Sequence, residues 1–471
     1  MRVSARDLTA QQRAVLAEVA AFSARRGAAA YVVGGLLRDS VLGRRTDDVD
    51  LVVRGVGPGA VARHLSSLKG FSGPVIFPRF RTVLVAGRGL RIEICKLEGD
   101  LAADAARRDF TVNALYADLL GYREGRGTRA LRILDPTGRG LEDLAAMTLS
   151  TPADPHFTLW LDPLRMVRAV RFAATAPFEL DGDLERTIPA MAYLITRVSV
   201  ERVRVELEKI LVSERVGRAL RLLHRTGLLG LVLPELERAY GLDQGTPYHA
   251  FDLFTHLAKT AERMPPEVPL RLAGLLHDLG KTSTASAGEG RTVYYGHEKV
   301  SALEAAAIMR RLKFSNRALE LVVFLVAHHM VNYSDEWSDR AVRRLVRKMG
   351  DRLEPLLALA EADRRSQRPG CAGKKEVAAL RARISRLRDD DRLESPVPIG
   401  GREIMAILGI GQGPMVGEAK AHLSEECLRR GRPMTRSAAE AVLRAWYEGR
   451  GGERRPTVRS AGIGVDNARG A

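Results

Sequence analysis

Tyr31-Val32-Val33-Gly34-Gly35-Leu36-Leu37-Arg38-Asp39-Ser40-Val41-Leu42-Gly43, followed by Asp47-Asp48-Val49-Asp50-Leu51-Val52-Val53, is the stretch from which the fold can be read. A β-branched run enters a pair of glycines and leaves as a helical segment, then a second apolar strand opens on acids. Glycine at such a turn lets backbone N–H groups approach a ligand closely, and a helix start favours phosphate. Asp48 and Asp50 are two apart on a strand, so their carboxylates project from the same face. Side by side they repel each other unless a cation lies between them. Hard oxygen ligands so placed suit Mg²⁺ bridging to a triphosphate. A bare Asp-X-Asp would read as a solvated strand entry. Coupled to the glycine turn, it reads as a nucleotide site.

Outward from that stretch, short apolar runs alternate with Gly-rich breaks up to about Thr148. Tyr31–Val33, Val49–Val53, Val83–Ala86 and Leu90–Ile94 read as strands of an α/β head. Glu93 sits between Ile92 and Ile94. It reads equally as a third carboxylate of the site or as an exposed strand residue. From Asp162 to about Leu233 the period becomes helical. Ser199 stands at the N-cap of a helix through Leu211, with Arg202 where a capping box needs Glu. A second helical region runs from about Thr246 to Gly370. Lys374 to Arg392 is a charged helical stretch, and Pro396, Pro398, Gly400 and Gly401 interrupt the chain before a short helical segment.

The chain has 471 residues, about three domains' worth. Its 45% hydrophobic and 28% charged composition is that of a globular protein. No apolar run reaches the ~20 residues that span a bilayer, and the N-terminus lacks a secretory apolar core. Cys95, Cys371 and Cys427 form neither a disulfide framework nor a zinc-knuckle spacing, so a reducing cytoplasm is expected. The 74 Lys+Arg exceed the 57 Asp+Glu by 17, which favours a polyanionic partner such as RNA. A genome rich in Arg codons would give the same surplus.

In these motifs the chain resembles the class II nucleotidyltransferases of the tRNA CCA-adding enzyme and bacterial poly(A) polymerase family. Ala105-Ala106-Arg107-Arg108-Asp109-Phe110-Thr111-Val112-Asn113-Ala114-Leu115-Tyr116 is similar to the motif that holds ribose and triphosphate. Asp135-Pro136-Thr137-Gly138-Arg139-Gly140-Leu141-Glu142-Asp143-Leu144 is similar to the turn that closes the head. Asp162-Pro163-Leu164-Arg165-Met166-Val167-Arg168-Ala169-Val170-Arg171-Phe172 is similar to the nucleotide-selecting helix. Asp162 and Arg165, three apart, are expected as neighbours on one helical face, where acceptor and donor can read a base edge. Leu161 stands where the family usually has a second acid, and Phe80-Arg81-Thr82 replaces Phe-Gly-Thr.

The resemblance implies nucleotidyl transfer from ATP and CTP to the 3′ end of tRNA or another RNA. It implies Mg²⁺ on Asp48 and Asp50 as the catalytic pair. Gly34, Gly35 and Arg38 would meet the triphosphate, and Arg108, Asp109 and Asn113 the ribose and phosphates. Asp162, Arg165 and Arg168 would serve the base, with Arg202 and Glu206 bracing them. A poly(A) polymerase shares every head motif and is the alternative.

The histidines define a second site. Nine of ten follow residue 150. An adjacent His277-Asp278 ends the apolar Leu272–Leu276 segment, where both would be costly unless ligated or paired. Imidazole and carboxylate together suit a divalent transition metal. The ordered set resembles the HD superfamily of metal-dependent phosphohydrolases. His256, His277, Asp278 and Asp363 match its one-metal core, and His297, His328 and His329 the further ligands of two-metal members. A second alternative follows, a chain whose main activity is HD phosphohydrolysis.

The expected architecture is α+β: a nucleotidyltransferase α/β head with a mixed sheet (1–147), an all-α neck and body (148–245), an all-α HD domain (246–370) and a small helical tail (371–450). Residues 451–471, Gly- and Arg-rich, are expected to be disordered. In the tail, the glycines between Pro398 and Glu418 read either as holders of RNA phosphate or as plain helical packing.

Overall fold

The computed structural model describes residues 1–4, 6–77, 82–123, 130–245, 251–288, 292–331, 333–334, 336–367, 374–389, 397–430 and 434–450. Arg81, Cys371 and the whole of 451–471 lie outside them, as do the expectations attached to those positions. The chain forms two compact units, Met1–His329 with Arg365–Arg368, and Met330–Arg364 with Pro369–Ala471. The division falls inside the region 246–370.

The head is a mixed sheet with helices, as expected. Its strands are β1 (Arg2–Val3), β2 (Ala29–Val33), β3 (Asp48–Arg54), β4 (Val75–Phe77), β5 (Thr82–Gly87), β6 (Leu90–Lys96), β7 (Tyr116–Asp118) and β8 (Leu131–Leu134). They are ordered β1-β8-β7-β2-β3-β6-β5-β4. The pair β3 and β6 is parallel, and the other neighbours run antiparallel.

The alternation in β3 explains the layering. Val49, Leu51 and Val53 are fully buried on the face covered by the helices Ala10–Ala24 and Pro58–Ser66, whose Leu16, Val19, Val61 and Leu65 are buried as well. Asp48, Asp50 and Val52 point to the other face. There Val52 packs with Val33, Leu97, Ala105, Ala114 and Tyr116, closing that face beside the acids.

The remainder of the first unit is mostly helical, but the regions expected to be all-α each carry a two-stranded sheet: Thr148–Leu149 pairs with Glu179–Leu180, and Ser286–Ala287 with Thr292–Val293. Pro155–Leu161, Leu164–Thr175, Gly182–Met191, Val200–Leu211 and Val216–Arg225 follow the head, and Leu253–Arg263, Val268–Leu276, His297–Arg311 and Asn316–His328 carry the histidines. Ser199 has the extended backbone of an N-cap, but its side chain makes no capping bond. In the second unit the helices Gly401–Leu408, Pro414–Arg430 and Arg436–Glu448 bury Ile404, Ala419, Leu423, Cys427 and Leu443 in one cluster. Gly409 ends the first of these helices in the left-handed conformation, as a C-terminal glycine does. Among the described residues no helix is long and apolar enough to cross a membrane.

Candidate functional site

The glycine turn sits directly over the acids. Gly34 has φ +73° and ψ −127°, a backbone conformation open mainly to glycine. A Cβ there would lie 3.3 Å from Asp50 Oδ2 and 4.0 Å from Arg108 Nη1. The turn, the carboxylate and the guanidinium therefore converge, and only a residue without a side chain fits between them. Gly35 opens the helix Gly35–Val41, and a Cβ on it would stand 3.7 Å from Arg38 Nη2.

The parallel register of β3 and β6 sets Asp48 beside Arg91 and Asp50 beside Glu93. Burial, and then the Glu93 charge, push the Asp50 carboxyl up to about 6. Asp48 is exposed. Three carboxylates thus share one face, one of them strained by its neighbours. Such a face suits a divalent cation, which relieves the repulsion that protonation would otherwise relieve.

A continuous polar chain leads from this face to the neck. Arg38 donates to both oxygens of Asp39 at 2.9 and 2.8 Å and to Asn113 Oδ1, with its guanidinium 4.9 Å from the Phe172 ring centre. Asn113 Nδ2 donates to Asp109 Oδ1 at 3.0 Å. Asp109 Oδ2 accepts from Arg168 Nε at 2.9 Å and from its Nη2. Burial alone would raise the Asp109 pKa, but the Arg168 charge and these hydrogen bonds hold it well below the usual carboxylate range. Arg168 and Arg171 both reach the buried Glu206. Arg108 is fixed separately. Its Nε and Nη2 lie 2.8 Å from Tyr116 Oη and 2.9 Å from Asp104 Oδ2, leaving Nη1 toward the glycine turn.

The Asp162–Arg165 expectation needs correction. Asp162 does not lie on the helix of Arg165. It ends Pro155–Leu161 with an extended backbone, and the next helix begins at Leu164. Pro163 forces the break, because the residue before proline is pushed out of the helical region. Arg165 donates to the carbonyls of Thr158, at 3.1 Å, and Arg107. Asp162 accepts instead from Arg202 at 2.8 Å. The two groups stand at a helix junction, each held by a different partner.

The second cluster surrounds one carboxylate. His256 and His277 Nε2 lie 3.5 and 3.4 Å from Asp278 Oδ2. His297 and His329 Nε2 lie 3.1 and 3.3 Å from Oδ1. All five residues are buried. Two metal-competent groups result, His256–His277–Asp278 and Asp278–His297–His329. The ring orientation is dictated by the main chain. His277, His297 and His329 place Nδ1 at 2.9, 2.7 and 2.7 Å from the carbonyls of Gly274, Tyr294 and Val326. A carbonyl only accepts, so each Nδ1 donates, and Nε2 is the ring atom turned toward the cluster. Imidazole nitrogens gathered round one buried carboxylate are the donor set that fits a divalent transition metal.

His328 belongs to neither group: its ring stacks on Phe324 at 4.3 Å and its Nδ1 lies 2.9 Å from that residue's carbonyl. Its neighbour His329 faces the cluster. Asp363 is carried by the helix Leu353–Arg365, in the second unit.

Three contributors escape a sequence reading. Asp104 and Tyr116 anchor Arg108 from 4 and 8 residues away. Lys281 lies 2.6 Å from Asp278 Oδ2. Burial would raise the Asp278 pKa, yet Lys281 and the histidines hold it well below the carboxylate range. The signal for Lys281 was its i+3 spacing from Asp278. Asp104 carried the same kind of signal, three and four residues before Arg107 and Arg108.

Three family models match the chain. A model described as the poly A polymerase head domain matches residues 30–99 and 77–150. One described as a probable RNA- and SrmB-binding site of polymerase A matches 177–240, and the HD domain matches 248–367. The A-adding tRNA nucleotidyltransferase of Deinococcus radiodurans is 34% identical over 89% of this chain and 96% of its own length. The CC-adding tRNA nucleotidyltransferase of Thermus thermophilus is 34% identical over 89% and 94%. The crystal structure of the Bacillus stearothermophilus CCA-adding enzyme in complex with CTP has a TM-score of 0.66 at 25% identity, covering 93% of this chain and 98% of that one.

Proposed function

Because the chain belongs to the tRNA nucleotidyltransferase family, with a poly(A) polymerase-type head and an HD domain, we propose that it adds nucleotides from CTP and ATP to the 3′ end of tRNA. The product is the CCA end or its terminal A. The observation that carries this reading is the placement of Asp50 under the Gly34 turn, with Asp48 and Glu93 on the same face.

Asp48 and Asp50 would hold the ions of the head, Mg²⁺ in this reading, with Glu93 beside them. Bound there, such ions neutralise the triphosphate and lower the pKa of the attacking 3′-hydroxyl. The chain's own residues do the positioning. Gly34 leaves room for phosphate above Asp50, and Arg108 Nη1 faces that space. Arg38 and Asn113 are joined on one side of it, where ribose and phosphate would lie. Asp109 and Arg168 tie that side to the neck, so that Asp162 and Arg165 meet the base from a fixed junction. Reading by side chains in this way needs no template.

The HD cluster would constitute a second, phosphohydrolytic site, with one or two divalent transition metals sharing Asp278. Bound there, the metals supply a hydroxide at neutral pH. Lys281 and the main-chain carbonyls keep Asp278 ionised and the rings oriented. Hydrolysis of bis(p-nitrophenyl) phosphate by the metal-loaded protein is expected, and Asp278→Asn should abolish it while leaving nucleotide transfer intact.

Nucleotide omission tests the head. Transcripts ending before CCA, after CC, or complete would be incubated with CTP, ATP or both. Incorporation confined to tRNA lacking its end supports the reading. Unlimited addition of A to unrelated RNA would make the protein a poly(A) polymerase, and no incorporation with intact hydrolysis would leave only the HD activity.

A further inference from the structure

The face that carries the acids also holds a cation from the same two strands. Arg91 is the register partner of Asp48, and Glu93 that of Asp50. Residues two apart on a strand share a face. Asp48, Asp50, Arg91 and Glu93 therefore form a two-by-two array, with Arg91 Nη2 2.7 Å from Glu93 Oε1. Among the described residues, the other arginines whose charge acts on Asp50 are committed to more buried carboxylates, Arg108 to Asp104 and Arg168 to Asp109. The side chains of Arg91 and Glu93 keep 57% and 38% exposure, so their pair can open without stranding a buried charge.

We propose that Arg91 is a positioning residue that holds Glu93 away from the divalent-ion site of Asp48 and Asp50 until an ion displaces it, and that it thereby sets the head's demand for divalent ion. The proposal rests on the reading of this face as the ion-holding one. Glu93 Oε1 cannot serve the guanidinium and an ion at once, so an ion that uses Glu93 must first open its pair with Arg91. An exposed pair contributes roughly 0.2–1 kcal/mol, which corresponds to about a 1.5- to 5-fold change in ion affinity.

Mn²⁺ binding to the full chain without nucleotide, followed by the electron paramagnetic resonance of free Mn²⁺, tests this. The ions lost in the Asp48→Asn/Asp50→Asn variant identify the head's share. Arg91→Ala should tighten that share about 1.5- to 5-fold, and Arg91→Lys, which keeps the charge, should stay near wild type. In a Glu93→Gln background, Arg91→Ala should no longer matter. Unchanged or weaker binding in Arg91→Ala overturns the proposal, and so does a tightening that persists without Glu93. A wild-type protein with no Mn²⁺ dependent on Asp48 and Asp50 overturns instead the reading on which the proposal stands.

Discussion

Asp50 ionises among Glu93, Asp48 and buried surface, so its charge costs the folded protein more than the unfolded chain. Its folded pKa, about 6, lies above the ordinary value. Below about pH 4 both states hold the proton and the cost is absent; it develops as the pH rises through 6. Asp50→Asn in metal-free protein should accordingly raise stability by roughly 3 kcal/mol well above pH 6 and by little below about pH 4, while abolishing transfer. Urea denaturation at the two pH values measures it. Asp109 behaves oppositely. Its folded pKa is depressed, so its stabilisation is present at neutral pH and is lost as pH falls below the ordinary carboxylate value toward its own. Asp109→Asn leaves Arg168 short of a partner and should cost roughly 3 kcal/mol at pH 7, with the difference from wild type shrinking in acid. A constant difference across the range would contradict the ion-pair account.

At the scale of elements, four strands of the eight-stranded sheet, β2, β3, β5 and β6, were legible as apolar runs between glycines, and in β3 the pleat turns the alternation into a buried and an acidic face; β1, β4, β7 and β8, of two to four residues, are too short to show a period. The glycine turn was legible for the same local reason. What sequence spacing could not show is where helices break. Asp162 and Arg165 have helical spacing, but Pro163 places them on opposite sides of a junction. Glu93 read equally as exposed or catalytic, because only the register of β6 against β3 decides its neighbour, and register is a tertiary property. His328 and His329 were indistinguishable for a similar reason: the end of one helix decides which ring turns inward. The turn itself predicts a difference between two glycines with positive φ. Gly27→Ala meets open space, whereas Gly34→Ala meets Asp50. Each should lower stability by about 1 kcal/mol, and only Gly34→Ala should raise the KM for nucleotide and reduce kcat. Equal activity in the two variants would separate the turn from the chemistry.

At the scale of the whole molecule, the first unit carries two candidate sites built on different principles. One is an open face of hard oxygen donors beneath a glycine turn, and the other a buried set of imidazoles around one carboxylate. The polar chain from Arg38 through Asn113, Asp109 and Arg168 to Glu206 joins the first of them to the neck. The account as a whole rests on the open face. Single-turnover incorporation of ATP or CTP into tRNA lacking its 3′ end tests it most directly, with Asp48→Asn and Asp50→Asn compared against wild type under saturating nucleotide. The account predicts a loss of about a thousandfold or more in each variant, with tRNA binding retained. Incorporation at the wild-type rate in either would contradict it.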